Sequence, residues 1–263
     1  LFGAGWDNHA YLVGDELVFR IPHRKLGGDL MDTECQVLGY LCQQDLPLRI
    51  PEPRYQAKPG GGFPYAIAGY PLIPGVSADM VTWTDEERGK NAGTLGGFLA
   101  ALHSVPIGIP TPRVDALKRA DLLYRMPIVQ EKTLNAPESY RALLVELSKT
   151  PLYEGAPVWV HGDLYAKHLI VGDDRQIAGV IDWGDVHVGD PALDIAIAWM
   201  FLPMQSWPKF RSAYGPIDEN TWRRAQFRAM THWAYLNEYA QDRKDGALQR
   251  ELEFLYSNVV GSW

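Results

Sequence analysis

The stretch WVHGDLYAKHLIVGDDRQIAGVIDWGDVHVGDPALDIA, Trp159 to Ala196, gathers residues able to do chemistry. Asp163 follows the apolar run PVWV, His168 opens the run LIV, and Asp182 closes the run QIAGVI. Side chains at strand ends project from a rigid frame into a cleft. Two carboxylates so placed suit phosphoryl transfer. One would orient and deprotonate a hydroxyl, and the other, with a nearby partner, would hold Mg²⁺ against nucleotide phosphates. A metal hydrolase built on His161, Asp163, His168 and Asp182 is the competing chemistry, and it requires His161 to face the same cavity as Asp163. Asp190 before Pro191 reads as a helix N-cap, and Asp194, one turn on, is placed to brace the loop carrying Asp163.

Those positions need strands and helices to hold them. NHAYLVGDELVFRIP alternates around Gly14-Asp15 and predicts a hairpin. In DTECQVLGYL, Asp32 or Thr33 would cap a helix whose stripe is Val37, Leu38 and Leu41. LRIPEPRYQ and FPYAIAGYPLI read as extended segments separated by the loop tip KPGGG. The pattern changes at Pro74-Gly75. Thr84 with Glu87 forms a capping box, and Leu95, Phe98, Leu99 and Leu102 follow as one helical stripe. ENTWRRAQFRAMTHWAYLNEYAQD reads as a long helix with Trp222, Ala225, Ala229, Trp233 and Leu236 on one face. The expectation is an α+β protein with a small β-rich lobe over residues 1–75, a hinge near 70–75, and a larger, mainly α-helical lobe over 76–263.

Composition narrows the function classes. The chain has 263 residues, enough for a substantial core. Its net charge of −7 argues against a general nucleic-acid binder. The acidity is read first as a solubility device, with a cationic ligand as the alternative. No run reaches the ~20 apolar residues of a membrane span, and Leu1–Gly5 lacks the basic residues of a leader. The abrupt opening LFGAGWDN leaves room for a preceding segment. Cys35 and Cys42 lie two helical turns apart, roughly 10 Å, too far for a disulfide. Both are expected as reduced core thiols in a cytoplasmic, monomeric protein.

HGDLYAKHLIV, GVIDWGD and GDPALDIA, together with GWDNHAYLVGDELVFRIPHR, resemble the aminoglycoside phosphotransferase (APH) family of small-molecule kinases, relatives of protein kinases. The likeness runs through most of the chain in order. It implies a protein-kinase-like two-lobe fold and transfer of a γ-phosphoryl group from ATP or GTP, with Mg²⁺, to a hydroxylated small molecule. Asp163 matches the catalytic base and Asp182 the Mg²⁺-binding aspartate. His168 stands where most members carry a metal-binding asparagine, and histidine here is familiar among relatives that resemble macrolide kinases. Arg20 matches the phosphate-binding lysine, and Glu34 the helix glutamate that pairs with it. Backbone groups of Pro71, Leu72 and Ile73 should meet the nucleobase edge, and Gly5 and Asn8 would turn over the nucleotide. His168 and Arg20 depart from the family pattern, which motivates a second reading: a catalytically weak nucleotide-binding module.

The acceptor stays open. Trp199, Trp207, Trp222 and Trp233 are expected mainly in the core, with some available to line an apolar pocket. Asp185, Asp218, Glu219, Glu238 and Asp242 are expected to be solvated, with amine binding as the alternative. The tryptophans and His168 lean toward a macrolide-like acceptor, and the net charge leans toward an aminoglycoside.

Overall fold

The computed structural model describes residues 3–4, 7–108 and 113–261. Strands β1 (Gly3–Ala4), β2 (Asn8–Val13) and β3 (Leu17–Pro22) lead into helix α1 (Lys25–Leu41), then β4 (Tyr55–Ala57) and β5 (Ile67–Pro71). The five strands form one antiparallel sheet in the order β1-β2-β3-β5-β4. The predicted hairpin is present: Val13 faces Leu17, and Gly14 and Asp15 between them both take positive φ. Two left-handed residues match the right-handed twist of the flanking strands.

Helix α1 starts seven residues before the predicted Asp32 cap, and Arg24 at its N-cap makes no side-chain cap bond. Gly27 and Gly28 look like breakers in sequence, since glycine costs up to about 1 kcal/mol inside a helix. Here they are needed. A Cβ on Gly27 would come within 2.7 Å of the Asp7 carbonyl, and one on Gly28 would run into the Tyr65 ring. Met31, Cys35 and Leu38 then face the core, whereas Cys42, at the helix end, is exposed. The expectation of two core thiols holds for Cys35 alone.

After β6 (Val76–Ser77) the chain is mainly helical. Helices α2 (Asp85–Lys90) and α3 (Ala92–Ser104) precede α4 (Leu122–Lys132) and α5 (Glu138–Leu147). The Thr84–Glu87 capping box forms, and Leu95, Phe98, Leu99 and Leu102 are fully buried. Then come β7 (Val158–Val160), β8 (Leu169–Val171), β9 (Ile177–Val180) and β10 (His187–Gly189). Strand β7 pairs with β10, and β8 lies between β6 and β9. Helices α6 (Ala192–Ile195), α7 (Ile197–Phe201), α8 (Trp207–Tyr214), α9 (Glu219–Arg243) and α10 (Gly246–Gly261) complete the chain. Buried apolar residues of α1, α3, β8, α7, α9 and α10 belong to one continuous core. Among the described residues, no helix is long and apolar enough to cross a membrane.

Trp199, Trp207 and Trp222 pack against one another with ring centroids 4.3 to 5.4 Å apart. Trp233 packs on Tyr140 and Tyr256. The tryptophan face is therefore core, and its lean toward an apolar acceptor falls away. The acids offered as amine ligands are largely engaged too: Asp218 caps α9, Glu238 pairs with Lys132, and Asp185 with Arg119.

Candidate active site

Strand β7 delivers the chain to His161, Gly162 and Asp163. The loop turns at Gly162, whose φ is +82°, and a Cβ there would come within 2.8 Å of the Asp185 carbonyl and the His187 ring. Only glycine satisfies both demands. The turn strands two buried N–H groups, and Asp194 of α6 takes both: its carboxylate accepts from His161 N at 2.7 Å and Gly162 N at 2.9 Å. Burial by itself would raise the Asp194 pKa. Its contact with His103, together with His161 and the Gly162 N–H, outweighs that and holds the carboxyl below the usual range. The expected brace is present. Asp190 accepts from Ala192 N at 2.9 Å and from Arg224 at 2.7 Å, a structural cap as its sequence context implied.

His161 is turned into the core. Its Nε2 donates to the Ile181 carbonyl at 3.0 Å, and its Nδ1 accepts from Asp163 N at 3.3 Å. Both ring nitrogens are used, and burial holds the imidazole neutral by lowering its pKa. Among the described residues, no three His, Cys, Asp or Glu side chains converge as a metal cage. The hydrolase reading therefore fails on the orientation of His161.

The other candidates are linked. His168 lies in a short 3₁₀ turn, Ala166–His168, and its Nδ1 donates to the Asp163 carbonyl at 2.7 Å. Its Nε2 lies 3.4 Å from Asp182 Oδ2. Asp182 itself has a left-handed backbone, φ +64°, a conformation costing a non-glycine residue about 1 kcal/mol or more. Its carboxylate meets Arg20, whose Nη2 donates to Asp182 Oδ1 at 2.7 Å while Nη1 bonds Glu34. Burial would favour neutral Arg20, but Glu34 and Asp182 outweigh it and hold the guanidinium cationic. Burial pushes Glu34 up to about 7 against the pull of Arg20. The residues present fit a divalent ion. With Nδ1 donating to the Asp163 carbonyl, Nε2 is the ring nitrogen left facing a carboxylate oxygen. Both atoms could donate to one cation. A hard ion would complete its shell with phosphate and water oxygens.

Asp163 Oδ1 accepts from Arg228 of α9 at 3.1 Å, with Arg119 at 4.0 Å. Burial alone would raise its pKa. Arg119 foremost, with Arg228 beside it, overcomes burial and holds the carboxyl well below the usual range.

The hinge fits the expectation only in part. Pro71 has no N–H, and the Leu72 N–H donates to Glu16 O at 2.7 Å. Of the three residues, Ile73 alone keeps an N–H with no backbone partner among the described residues. A groove of about 650 Å³ borders Pro71, Leu72 and Ile73, but none of Asp163, His168, Asp182 or Arg20 lines it. Asn8 is the first residue of β2, opposite Pro22, so it does not form the expected turn. Gly5 lies outside the described residues.

Sequence reasoning missed Arg119, Arg228 and His232. Arg224, Arg228 and His232 recur at helical spacing on α9, and all three are buried. That polar stripe beside the apolar one was the available signal.

The profile of the phosphotransferase enzyme family matches residues 1–228. The chain belongs to that family. The viomycin phosphotransferase of Streptomyces vinaceus is 25% identical over 200 residues, 72% of this chain and 68% of that protein. An aminoglycoside 3'-phosphotransferase of Streptomyces fradiae is 30% identical over 151 residues, 54% of this chain and 55% of its own length, so this chain spans about half of that relative. Among solved structures, the GDP complex of an aminoglycoside 2'-phosphotransferase-IIIa superposes with a TM-score of 0.70 at 24% identity, covering 100% of this chain and 92% of that one. A macrolide 2'-phosphotransferase from Brachybacterium faecium gives 0.67 at 22% identity, covering 98% and 90%. The phosphotransferase thus has the kinase-like fold of these enzymes, with a small antiparallel sheet followed by a helical region.

Proposed function

We propose that this phosphotransferase moves the γ-phosphoryl group of ATP or GTP to a hydroxyl of a small organic acceptor. Residues 1–75 serve as the nucleotide lobe and 76–263 as the catalytic lobe. The observation that carries the reading is the unbroken contact chain Glu34–Arg20–Asp182–His168–Asp163. It joins the sheet that would cover a nucleotide to the loop that would meet an acceptor. The relatives' names, aminoglycoside and macrolide phosphotransferases, supply the first compounds for an acceptor panel, and the groups around Asp163 decide among them.

Each residue has a task. Asp163 orients the acceptor hydroxyl. As the acceptor oxygen bonds to the γ-phosphorus, the bond from phosphorus to the β,γ-bridging oxygen breaks, and the hydroxyl proton passes to the Asp163 carboxylate. A carboxylate held well below its usual pKa is a weak base, so the proton moves late and positioning matters most. Arg20, kept cationic and aimed by Glu34, binds phosphate oxygens. Asp182 and His168 would hold Mg²⁺, which neutralises phosphate charge when bound. The Ile73 N–H, with main-chain carbonyls of 71–73, meets the base. The weak-binding-module alternative rests on the unusual Arg20 and His168, but both occupy the linked chain.

Mg²⁺-dependent binding of ATP and GTP, followed by nucleoside diphosphate release with an acceptor panel, tests this. Asp163→Ala should cut turnover by ~10²–10⁴ while nucleotide still binds. Unchanged turnover in that variant removes Asp163 from the role.

A further inference from the structure

Asp163 is flanked by two guanidiniums, Arg228 at 3.1 Å and Arg119 at 4.0 Å. Arg228 Nη2 reaches both Asp163 Oδ1, at 3.1 Å, and the Gly162 carbonyl, at 3.3 Å. Arg119, from the loop before α4, donates to the same carbonyl at 3.3 Å and to Asp185 Oδ2 at 2.9 Å. Two guanidiniums therefore share one carbonyl, and each has its own carboxylate partner. Burial and the neighbouring Arg119 press the Arg228 pKa down to about 10, still cationic at neutral pH. Arg125 adds a further positive field on Arg228, and Arg113 donates to the Gly184 carbonyl at 2.8 Å.

This cluster is also unfinished. Arg228 Nε and His232 Nδ1 are buried, yet neither has a hydrogen-bond partner among the described residues. Asp163 Oδ2 accepts from no described residue, unlike Oδ1. Buried polar groups are satisfied almost everywhere in native proteins, so an orphan donor beside a reactive carboxylate points to a ligand that completes it. A polyamine acceptor fits badly. Asp163 and Asp185 are already matched by Arg228 and Arg119, and an incoming ammonium would be repelled by those guanidiniums. A planar guanidinium fork matches a carboxylate or phosphate instead.

Resting on the kinase reading above, we propose that the acceptor is a hydroxylated small molecule bearing a carboxylate or phosphate, held by Arg119 and Arg228 while its hydroxyl meets Asp163 Oδ2. The protein's overall negative charge does not oppose this, because binding responds to the local field.

The test is calorimetric. Protein saturated with Mg²⁺ and a non-hydrolysable nucleotide analogue is titrated with acetate, inorganic phosphate and kanamycin, the carboxylate, phosphate and polycation arms. At least one anion should bind, and Arg119→Gln or Arg228→Gln should weaken it tenfold or more. Acetate and phosphate responses distinguish the two anion types. Circular dichroism monitors folding, and Arg119→Gln, the less buried change, stands in if Arg228→Gln misfolds. Arginines that only anchor the Gly162 carbonyl would lower stability in the variants and leave anion affinity unchanged. That outcome overturns the proposal, as does kanamycin binding with neither anion binding, or no anion response in the wild type. Failure of the analogue itself to bind with Mg²⁺ would instead sink the kinase reading.

Discussion

Two arginine–carboxylate pairs in this protein are built differently. Arg88 of α2 meets Glu251 of α10 with both forks closed, at 2.9 and 2.6 Å, and the side chains are only 6% and 7% exposed. Its guanidinium also donates to the Phe201 carbonyl and lies over the Phe201 and Phe254 rings at 4.8 and 4.0 Å. Arg228 and Asp163 share one bond, with Asp163 26% exposed and Arg228 Nε unpartnered among the described residues. A pair that staples two helices leaves nothing for a ligand. The pair proposed for chemistry keeps one oxygen and one donor free, and the surrounding fold must supply the stability that the open pair does not.

The sharpest way to break this contrast is at Asp163. Asp163→Ala should lose ~10²–10⁴ in turnover per folded molecule, with turnover and the unfolding midpoint measured side by side on one preparation. At the closed pair the effects should invert. Arg88→Met leaves Glu251 buried without its partner and should cost about 3–5 kcal/mol in chemical denaturation, with turnover per folded molecule kept. Adding Glu251→Leu should restore much of that loss. A large activity defect in Arg88→Met would show that the staple reaches the site.

Smaller effects sharpen the picture. Asp194→Asn removes the charge that collects the His161 and Gly162 N–H groups, and should cost about 1.5–3 kcal/mol in denaturant titrations. His232 supplies a pH dependence. Burial first, and Arg228 second, lower its folded pKa to about 3. The unfolded imidazole titrates near ~6.5, so below that pH the unfolded chain takes up a proton that the native chain refuses. Its stabilising share is full above about pH 7 and should fall by about 2 kcal/mol by about pH 5. His232→Gln should flatten the plot of unfolding free energy against pH, while His161, also lowered by burial, preserves part of the slope. An unchanged slope would place the titration elsewhere.

Legibility in the amino-acid sequence differs between these groups. Asp163, His168 and Asp182 stand out because each ends or starts an apolar run, and a strand exit is a local pattern. The Thr84–Glu87 box and the Leu95–Leu102 stripe are legible for the same reason. The start of α1 is not, since Gly27 and Gly28 are required by Asp7 and Tyr65, residues distant in sequence. The tryptophans' role as core needs the packing of α7, α8 and α9. Which main-chain donors stay free at 71–73 depends on the Leu72–Glu16 bond.

The amino-acid sequence alone determined the order of elements and the places where carboxylates leave strands, because hydrophobic period, turn residues and caps act over a few neighbours. Tertiary structure alone decided that Arg119, Arg228 and His232 surround Asp163, and that His161 faces inward. Coulomb energy depends on separation in space and on exclusion of water, and Arg228 lies 65 positions along the chain from the carboxylate it meets. No local pattern encodes that distance, and only the folded chain brings those charges together.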